Sequence, residues 1–374
     1  MTPSGKNINL AIVYWGPPDE RKDFYKGLSR QGVKLTVAVN AGMGSYSSDG
    51  TYNVVPVDFM HKRHVNLGFS WGQLIHMLKV SRPDIIHVFH EYHCALVTQT
   101  ILIRNIFLRR NIPIVCYNFQ NIDYGNRKGG LKAKVVNLMA RYNLRHIHGL
   151  TSANQQGLDI AVGYNRKLRV KKIFWPVDAN SFFRKDQAAC RQKINLPLDK
   201  KIIGYVGRFV NEKGLEDLLK AMGKVEAAVL LLIGEGEDQP RLKRIAAEMG
   251  LTQRVIFKPA IAAQGLVDYY NAFDCFVLPS RTTLLWKEQY GRVLVEAMMC
   301  GCRIVASSSG AIQEVLVDYP NKIIFSEGDI EAFTKAIEMI IEKEERDPGA
   351  IFLNRFSDEN FLIEHCKFYQ NILG

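Results

Sequence analysis

The sequence has no Cys-x-x-Cys pair. Its seven cysteines, Cys94, Cys116, Cys190, Cys275, Cys300, Cys302 and Cys366, are odd in number and stand mostly in apolar runs, which argues against disulfides and a zinc cluster and predicts reduced core thiols. No window reaches the roughly 18 consecutive apolar residues that a membrane-spanning helix requires. The first residues, with Pro3, Gly5, Lys6 and Asn7, also lack the apolar stretch of a secretory signal, so a cytoplasmic location is expected. No Asp-x-Asp carboxylate pair stands near a strand end for a divalent ion, and no aromatic-basic recognition motif for nucleic acid is present.

What is there suits a folded chain with two domains. At 374 residues, 47% hydrophobic and 23% charged, it can bury two cores of ordinary size, and two domains imply a cleft. The net charge of +12 is unevenly spread: residues 1–180 hold 24 Lys and Arg against 10 Asp and Glu, the remainder 25 against 27. A basic first half points to an anionic partner there, whether a membrane surface, a nucleic acid or a phosphorylated substrate.

Apolar, β-branched runs recur at 8–15, 34–40, 53–59, 84–90, 112–119 and 146–152, most of them separated by longer amphipathic stretches, and "VKKIFWPV" stands at 170–177. A polar, strandless segment follows from Asp178 to Lys200, and the scheme then repeats at 201–209, 228–236, 254–260, 274–280, 303–309 and 322–329. This is the pattern of two doubly wound α/β domains with parallel sheets. The expected division is an N-terminal domain over 1–177, a linker over 178–200, a second domain over 201–355 and a closing helix within 356–374. In such sheets ligands bind beyond the carboxyl ends of the strands, so residues just after strands are the candidates.

Three stretches of the second half carry chemistry. In "GYVGRFVNEKG", 204–214, Gly207 and Arg208 end a strand, and Lys213 precedes a helix. Cations beside a helix N-terminus suit a diphosphate, although a solvated turn with two surface cations reads the same way in isolation. In "LLIGEGED", Gly234 and Gly236 allow close backbone approach to a planar or phosphate group, or form only a tight strand-to-helix turn. In "EQYGRVLVEAMMCG", 288–301, Glu288 and Glu296 lie eight positions apart around a helix that should start near Gly291. Paired acids bracketing such an N-terminus suit the hydroxyls of a sugar, or are one dipole-stabilising and one solvated glutamate.

The run "PSRTTLLWKEQYGRVLVEAMMCGCRIVASSSGAIQEV", 279–315, resembles the donor-site signature of the retaining glycosyltransferase family four, with its GT-B fold. Its E-x7-E pattern falls on Glu288 and Glu296, and the two earlier motifs occur in the family's order. The resemblance implies that Arg208 and Lys213 bind the diphosphate of a nucleotide-sugar donor, Glu296 the ribose hydroxyls and Glu288 the transferred sugar. Gly291 with the amides of Arg292 and Val293, and the neighbouring Gly207, Gly234, Gly236 and Tyr290, complete the implied donor site. Arg208, Lys213 and Glu288 are the expected catalytic residues. Arg303 stands where the family usually has Pro, a modest departure.

The first half resembles the family less. After the first strand comes "WGPPDE", which leaves only Gly16 as a donor-contacting glycine and puts Pro17 and Pro18 where phosphate-cradling amides are expected. Gln120, in "CYNFQN", takes the place of a sugar-contacting histidine and can donate a hydrogen bond but not act as a base. His90, Glu91, Gln120 and Asn121 are the expected acceptor-binding residues. His87, His90 and His93 recur every third position, but a strand end gives them no common face for a metal. Arg104, Arg109, Arg110, Arg127, Lys128, Lys132, Lys134, Arg141 and Arg145 alternate with apolar residues, which suits an anionic leaflet or is the solvated side of ordinary helices. The resulting expectation is a retaining, metal-independent transfer of a sugar from a nucleotide diphosphate sugar to a glycan or lipid-linked acceptor, without a cofactor, on or near the inner face of the cytoplasmic membrane. Alternatives are a nucleotide-sugar epimerase or hydrolase, a basic nucleic-acid-binding protein and a catalytically silent relative.

Overall fold

A computed structural model describes residues 8–17, 21–42, 50–60, 68–125, 129–226, 228–343 and 353–374. The chain divides into two units, Met1–Phe174 with Asp358–Gly374, and Trp175–Ser357. Each is built on one parallel sheet.

In the first unit the strands are β1 (Ile8–Val13), β2 (Val33–Asn40), β3 (Asn53–Val57), β4 (Ile85–Val88), β5 (Ile114–Asn118), β6 (Gly149–Ser152) and β7 (Arg169–Lys172), ordered β3-β2-β1-β4-β5-β6-β7. Leu10 of β1 lies opposite Leu35 on one side and Ile85 on the other. The strand order reverses between β1 and β4. Parallel strands require crossovers, supplied by α1 (Lys22–Arg30), α2 (Trp71–Ser81), α3 (Ala95–Ile103), α4 (Leu131–His146) and α5 (Gln155–Tyr164). Covered on both faces, the central strands are apolar nearly throughout, with Ala11, Val13, Ile86, Val88, Ile114 and Leu150 buried together.

In the second unit β8 (Lys201–Val206), β9 (Ala228–Ile233), β10 (Val255–Lys258), β11 (Cys275–Leu278), β12 (Ile304–Ser307) and β13 (Lys322–Phe325) are ordered β10-β9-β8-β11-β12-β13. Here the order reverses between β8 and β11. The helices are α6 (Gln187–Lys193), α7 (Leu215–Met222), α8 (Gln239–Glu248), α9 (Ala263–Ala272), α10 (Arg292–Met299), α11 (Ile312–Leu316) and α12 (Ile330–Ile341). Side-chain caps start two of them: Asp186 accepts from the Ala189 amide at 2.7 Å and Asp329 from the Ala332 amide at 2.9 Å.

The stretch 178–200, expected as a linker, belongs to the second unit. Lys185 and Lys193 both pair with Asp268, at 2.8 and 2.6 Å, and Arg191 pairs with the buried Asp274 at 2.5 Å. A polar composition therefore marked ion pairs with α9 and the start of β11, not a solvated connection. The closing helix, Asp358–Leu373, belongs to the first unit, where Leu362 fills the space above Gly27 of α1.

Candidate active site

Four loops follow strands around the β8–β11 reversal of the second unit: 207–214, 234–238, 279–291 and 308–311. The carboxylate of Glu288, almost fully buried, receives the Lys213 ammonium at 2.7 Å and the Ser280 hydroxyl at 2.7 Å, both on Oε2. Its backbone is fixed as well, since the Ala311 amide donates to the Glu288 carbonyl at 2.9 Å. Gly310, at φ +53°, comes so close that a Cβ there would stand 2.0 Å from the same oxygen. Lys213 closes the 3-10 turn Asn211–Lys213, and its ammonium lies 4.7 Å from the centre of the Trp286 ring.

The helix expected near Gly291 starts there: Gly291 caps α10 at φ +73°, a left-handed conformation that favours glycine. The amides of Arg292 and Val293 lie in its first turn, where N–H groups lack intrahelical acceptors. Glu296, one turn further in, is buried and held by the Tyr270 hydroxyl at 2.8 Å and by Arg292 Nε at 3.1 Å. Burial raises its carboxyl above the usual range, and the Tyr270 and Arg292 contacts oppose that rise.

The structure thus brings Lys213 and Glu288 together, with Gly291 and Glu296 just beyond in the chain. Arg208 is exposed at the end of β8, and among the described residues its guanidinium makes no hydrogen bond or ion pair. Tyr290 has a structural task, its buried hydroxyl donating to the Trp175 carbonyl at 2.6 Å. Gly207, Gly234 and Gly236 serve loop-to-loop packing: a Cβ on Gly234 would stand 1.9 Å from the Gly207 carbonyl oxygen, and one on Gly236 2.1 Å from that of Phe209. Within this chain these glycines let neighbouring backbone segments approach one another closely. Sequence reasoning passed over Ser280, Tyr270, Gly310 and Ser309, whose hydroxyl oxygen lies 3.5 Å from the Glu288 amide; for the last two the small-residue run "ASSSGA" at the end of β12 was the available signal.

In the first unit, Gly16 sits under its neighbour's ring, a Cβ there falling 2.3 Å from the Tyr14 hydroxyl oxygen. Pro17 follows it, and Pro18 lies outside the described residues, as do Arg127 and Lys128. His90 stacks on Trp15 with centroids 5.3 Å apart, and its Nδ1 accepts from the Glu91 amide at 2.8 Å. Neutral His90 therefore carries its proton on Nε2. Burial lowers its pKa to about 4 and raises that of Glu91 to about 7, against backbone N–H groups of Gln120 and Phe119 that favour the Glu91 carboxylate.

His90 and Glu91 line a cavity of about 720 Å³ together with His93, Tyr124, Val136 and Met139. Gln120 and Asn121 do not line it. Asn121 is buried, and the loop holding both is pinned by Asn118, which donates to the Gln120 carbonyl at 2.7 Å, and by Asn154, which donates to that of Phe119 at 2.7 Å. His87 points elsewhere, its Nδ1 2.6 Å from the Tyr369 hydroxyl of the closing helix. Among the described residues no three His, Cys, Asp or Glu side chains are grouped so as to hold a metal ion, and no helix is long and apolar enough to cross a membrane.

Two doubly wound parallel α/β units, the second carrying a buried, ion-paired glutamate ahead of a glycine-capped helix at its strand-order reversal, define a GT-B fold. Solved structures of that fold match over almost the whole chain. A sucrose-phosphate synthase from Thermosynechococcus elongatus superposes with a TM-score of 0.74 at 19% identity, covering 97% of this chain and 98% of its own. An Anabaena protein solved in complex with UDP gives 0.74 at 17% identity, covering 97% and 99%. A family model described as glycosyl transferases group 1 matches residues 186–350. The chain is 32% identical over 197 residues to a D-inositol 3-phosphate glycosyltransferase from Mycolicibacterium smegmatis, covering 51% of this chain and 43% of that protein. Against a lipopolysaccharide core biosynthesis glycosyltransferase from Rhizobium meliloti the figures are 29% over 180 residues, 48% and 49%. The chain thus spans about half the length of these relatives.

Proposed function

We propose that the protein is a glycosyltransferase that moves a sugar from a nucleoside diphosphate sugar to a hydroxyl of a glycan or lipid-linked acceptor, with retention and without a metal ion. The observation that carries this reading is the Lys213–Glu288 contact of 2.7 Å in front of the α10 N-terminus. It joins a cation suited to a leaving diphosphate with an acid suited to sugar hydroxyls, at the place in the sheet where such folds bind ligands. The group 1 match over this stretch, and the glycosyltransferase names of the relatives, support it.

In this reading, departure of the nucleoside diphosphate builds negative charge on its β-phosphate. Lys213, Arg208 and the amides at the start of α10 stabilise that charge, which is the work a metal does elsewhere. Glu288 orients the transferred sugar and Glu296 the ribose. His90 and Glu91 bind the acceptor, and the leaving phosphate takes the proton of the attacking hydroxyl. The basic first unit favours an acceptor at an anionic membrane surface.

The test has two stages. A thermal-shift screen of UDP-, GDP- and ADP-sugars should find one donor class that raises the melting temperature, because a ligand of the native state stabilises by mass action. With that donor, Lys213→Ala and Glu288→Gln should each lower transfer by about 100-fold, the scale of losing one preorganised charge-stabilising group. Wild-type rates in both variants would remove the site, and sugar release or epimerisation without an acceptor would replace transfer by hydrolysis or epimerisation.

A further inference from the structure

We infer that α4 is a membrane-docking element whose outward face seats in an anionic lipid surface. This rests on the reading above only for the acceptor it would serve. Leu131 and Leu138 are 79% and 71% exposed and Val135 is 50% exposed. At about 100° per residue these three fall in a sector about 60° wide, opposite the buried Ala140 and Leu144. A helix on a water-facing surface carries polar residues there. On this one, apolar side chains occupy the position furthest from the core.

The charges complete the pattern. Lys134, Arg141 and Arg145 flank the apolar sector on one side and Lys132 on the other, all exposed. Neither α4 nor any position from Tyr124 to Leu158 holds an acidic residue. Long cationic side chains beside an apolar strip can lie along it and place their charges at lipid headgroups while the strip enters the acyl boundary. The absence of acids selects an anionic leaflet over a zwitterionic one.

The opposite side of the same helix gives the docking a purpose. Ala133, Val136 and Met139 of α4 wall the cavity that contains His90 and Glu91. One helix therefore separates that cavity from the proposed lipid surface. Docking and acceptor entry then share one element.

The whole chain should be sedimented with vesicles of phosphatidylcholine alone and of phosphatidylcholine with about one third phosphatidylglycerol, at low and high salt, with no donor or acceptor present. Binding to the anionic vesicles alone, weakened by salt and reduced about tenfold or more in Leu131→Asp/Leu138→Asp, is the expected result. Lys134→Glu/Arg145→Glu should lose binding while Leu131→Ser/Leu138→Ser keeps part of it, and all variants should melt as wild type because the changed side chains are exposed. Absence of vesicle binding, or equal binding by wild type and the Asp variant, overturns the proposal. A dimer that the Asp variant dissolves, without vesicle binding, assigns the face to a second copy of this chain and overturns it too. The nucleotide-sugar thermal shift, measured on the same variants, reports separately on the donor site.

Discussion

Lys213 and Glu288 neutralise each other before any donor arrives, and this changes what each substitution should do. Removing the Glu288 charge frees the ammonium for phosphate. Glu288→Gln is therefore expected to bind nucleoside diphosphate at least as tightly as wild type while transfer falls, whereas Lys213→Ala loses both. Calorimetric titration with the diphosphate alongside initial rates separates the two, and parallel losses of affinity in both variants would contradict these roles. Glu91 offers a second test. Its folded pKa of about 7 stands above the ordinary carboxyl value of 4.5, so the folded state keeps a proton that the unfolded state has released. Stability then declines as pH rises from about 4.5 to about 7 and stays lower above it. Glu91→Gln should raise the melting temperature more at pH 8 than at pH 5, and an equal effect at both would contradict the buried carboxyl. Glu91 was legible as a strand-end acid and Glu288 as one of two acids bracketing a helix start. The 2.7 Å partner of Glu288 was not, because Lys213 lies 75 positions away on another loop.

Among the elements, the strands were the most legible. A parallel strand covered on both faces is a continuous apolar run, and each run read from the sequence became one strand. Glycines were less legible, because a sequence shows that backbone can come close but not to what. Gly236 makes the point: a Cβ there meets the Phe209 carbonyl oxygen at 2.1 Å, and the Phe209 amide donates to the Glu235 carbonyl at 2.8 Å. The loops after β8 and β9 are thus packed backbone to backbone. Gly236→Ala should destabilise the protein by about 1–3 kcal/mol through overpacking and displace Arg208, which follows β8. Urea unfolding together with diphosphate affinity would check this, and an unchanged midpoint would contradict the interlock.

At the scale of the whole molecule, the closing helix brings the end of the chain to the first unit. His365 lies in an aromatic cage, 4.2 Å from the Phe361 ring and 5.4 Å from that of Phe24, and the Tyr369 hydroxyl reaches His87 Nδ1 at 2.6 Å. Burial holds both histidines below their usual range, His365 at about 3. Both are neutral when folded and take up protons on unfolding below the ordinary imidazole value of 6.5, so stability contributed above that pH is lost as pH falls from there toward about 3. His365→Phe keeps an aromatic of similar shape and removes the titration. Its urea midpoint should fall less than that of wild type between pH 7 and pH 4.5, and identical slopes would show that the cage does not govern acid stability.

The two parallel sheets, the order of their strands along the chain, the start of α10 and the positions of the paired glutamates are all readable from the amino-acid order. Each of these is written in local periodicity, spacing or a glycine whose conformation a helix start requires. Folding was needed to show that the Asp178–Lys200 stretch is tied down by Asp268 and Asp274, that Gly234 and Gly236 admit neighbouring backbone, that Tyr290 donates to the Trp175 carbonyl, and that Leu131, Val135 and Leu138 are exposed. Those outcomes depend on which distant groups meet after folding. An amphipathic pattern fixes the period of a helix, but which of its sides meets the core is set by the sheet it packs on.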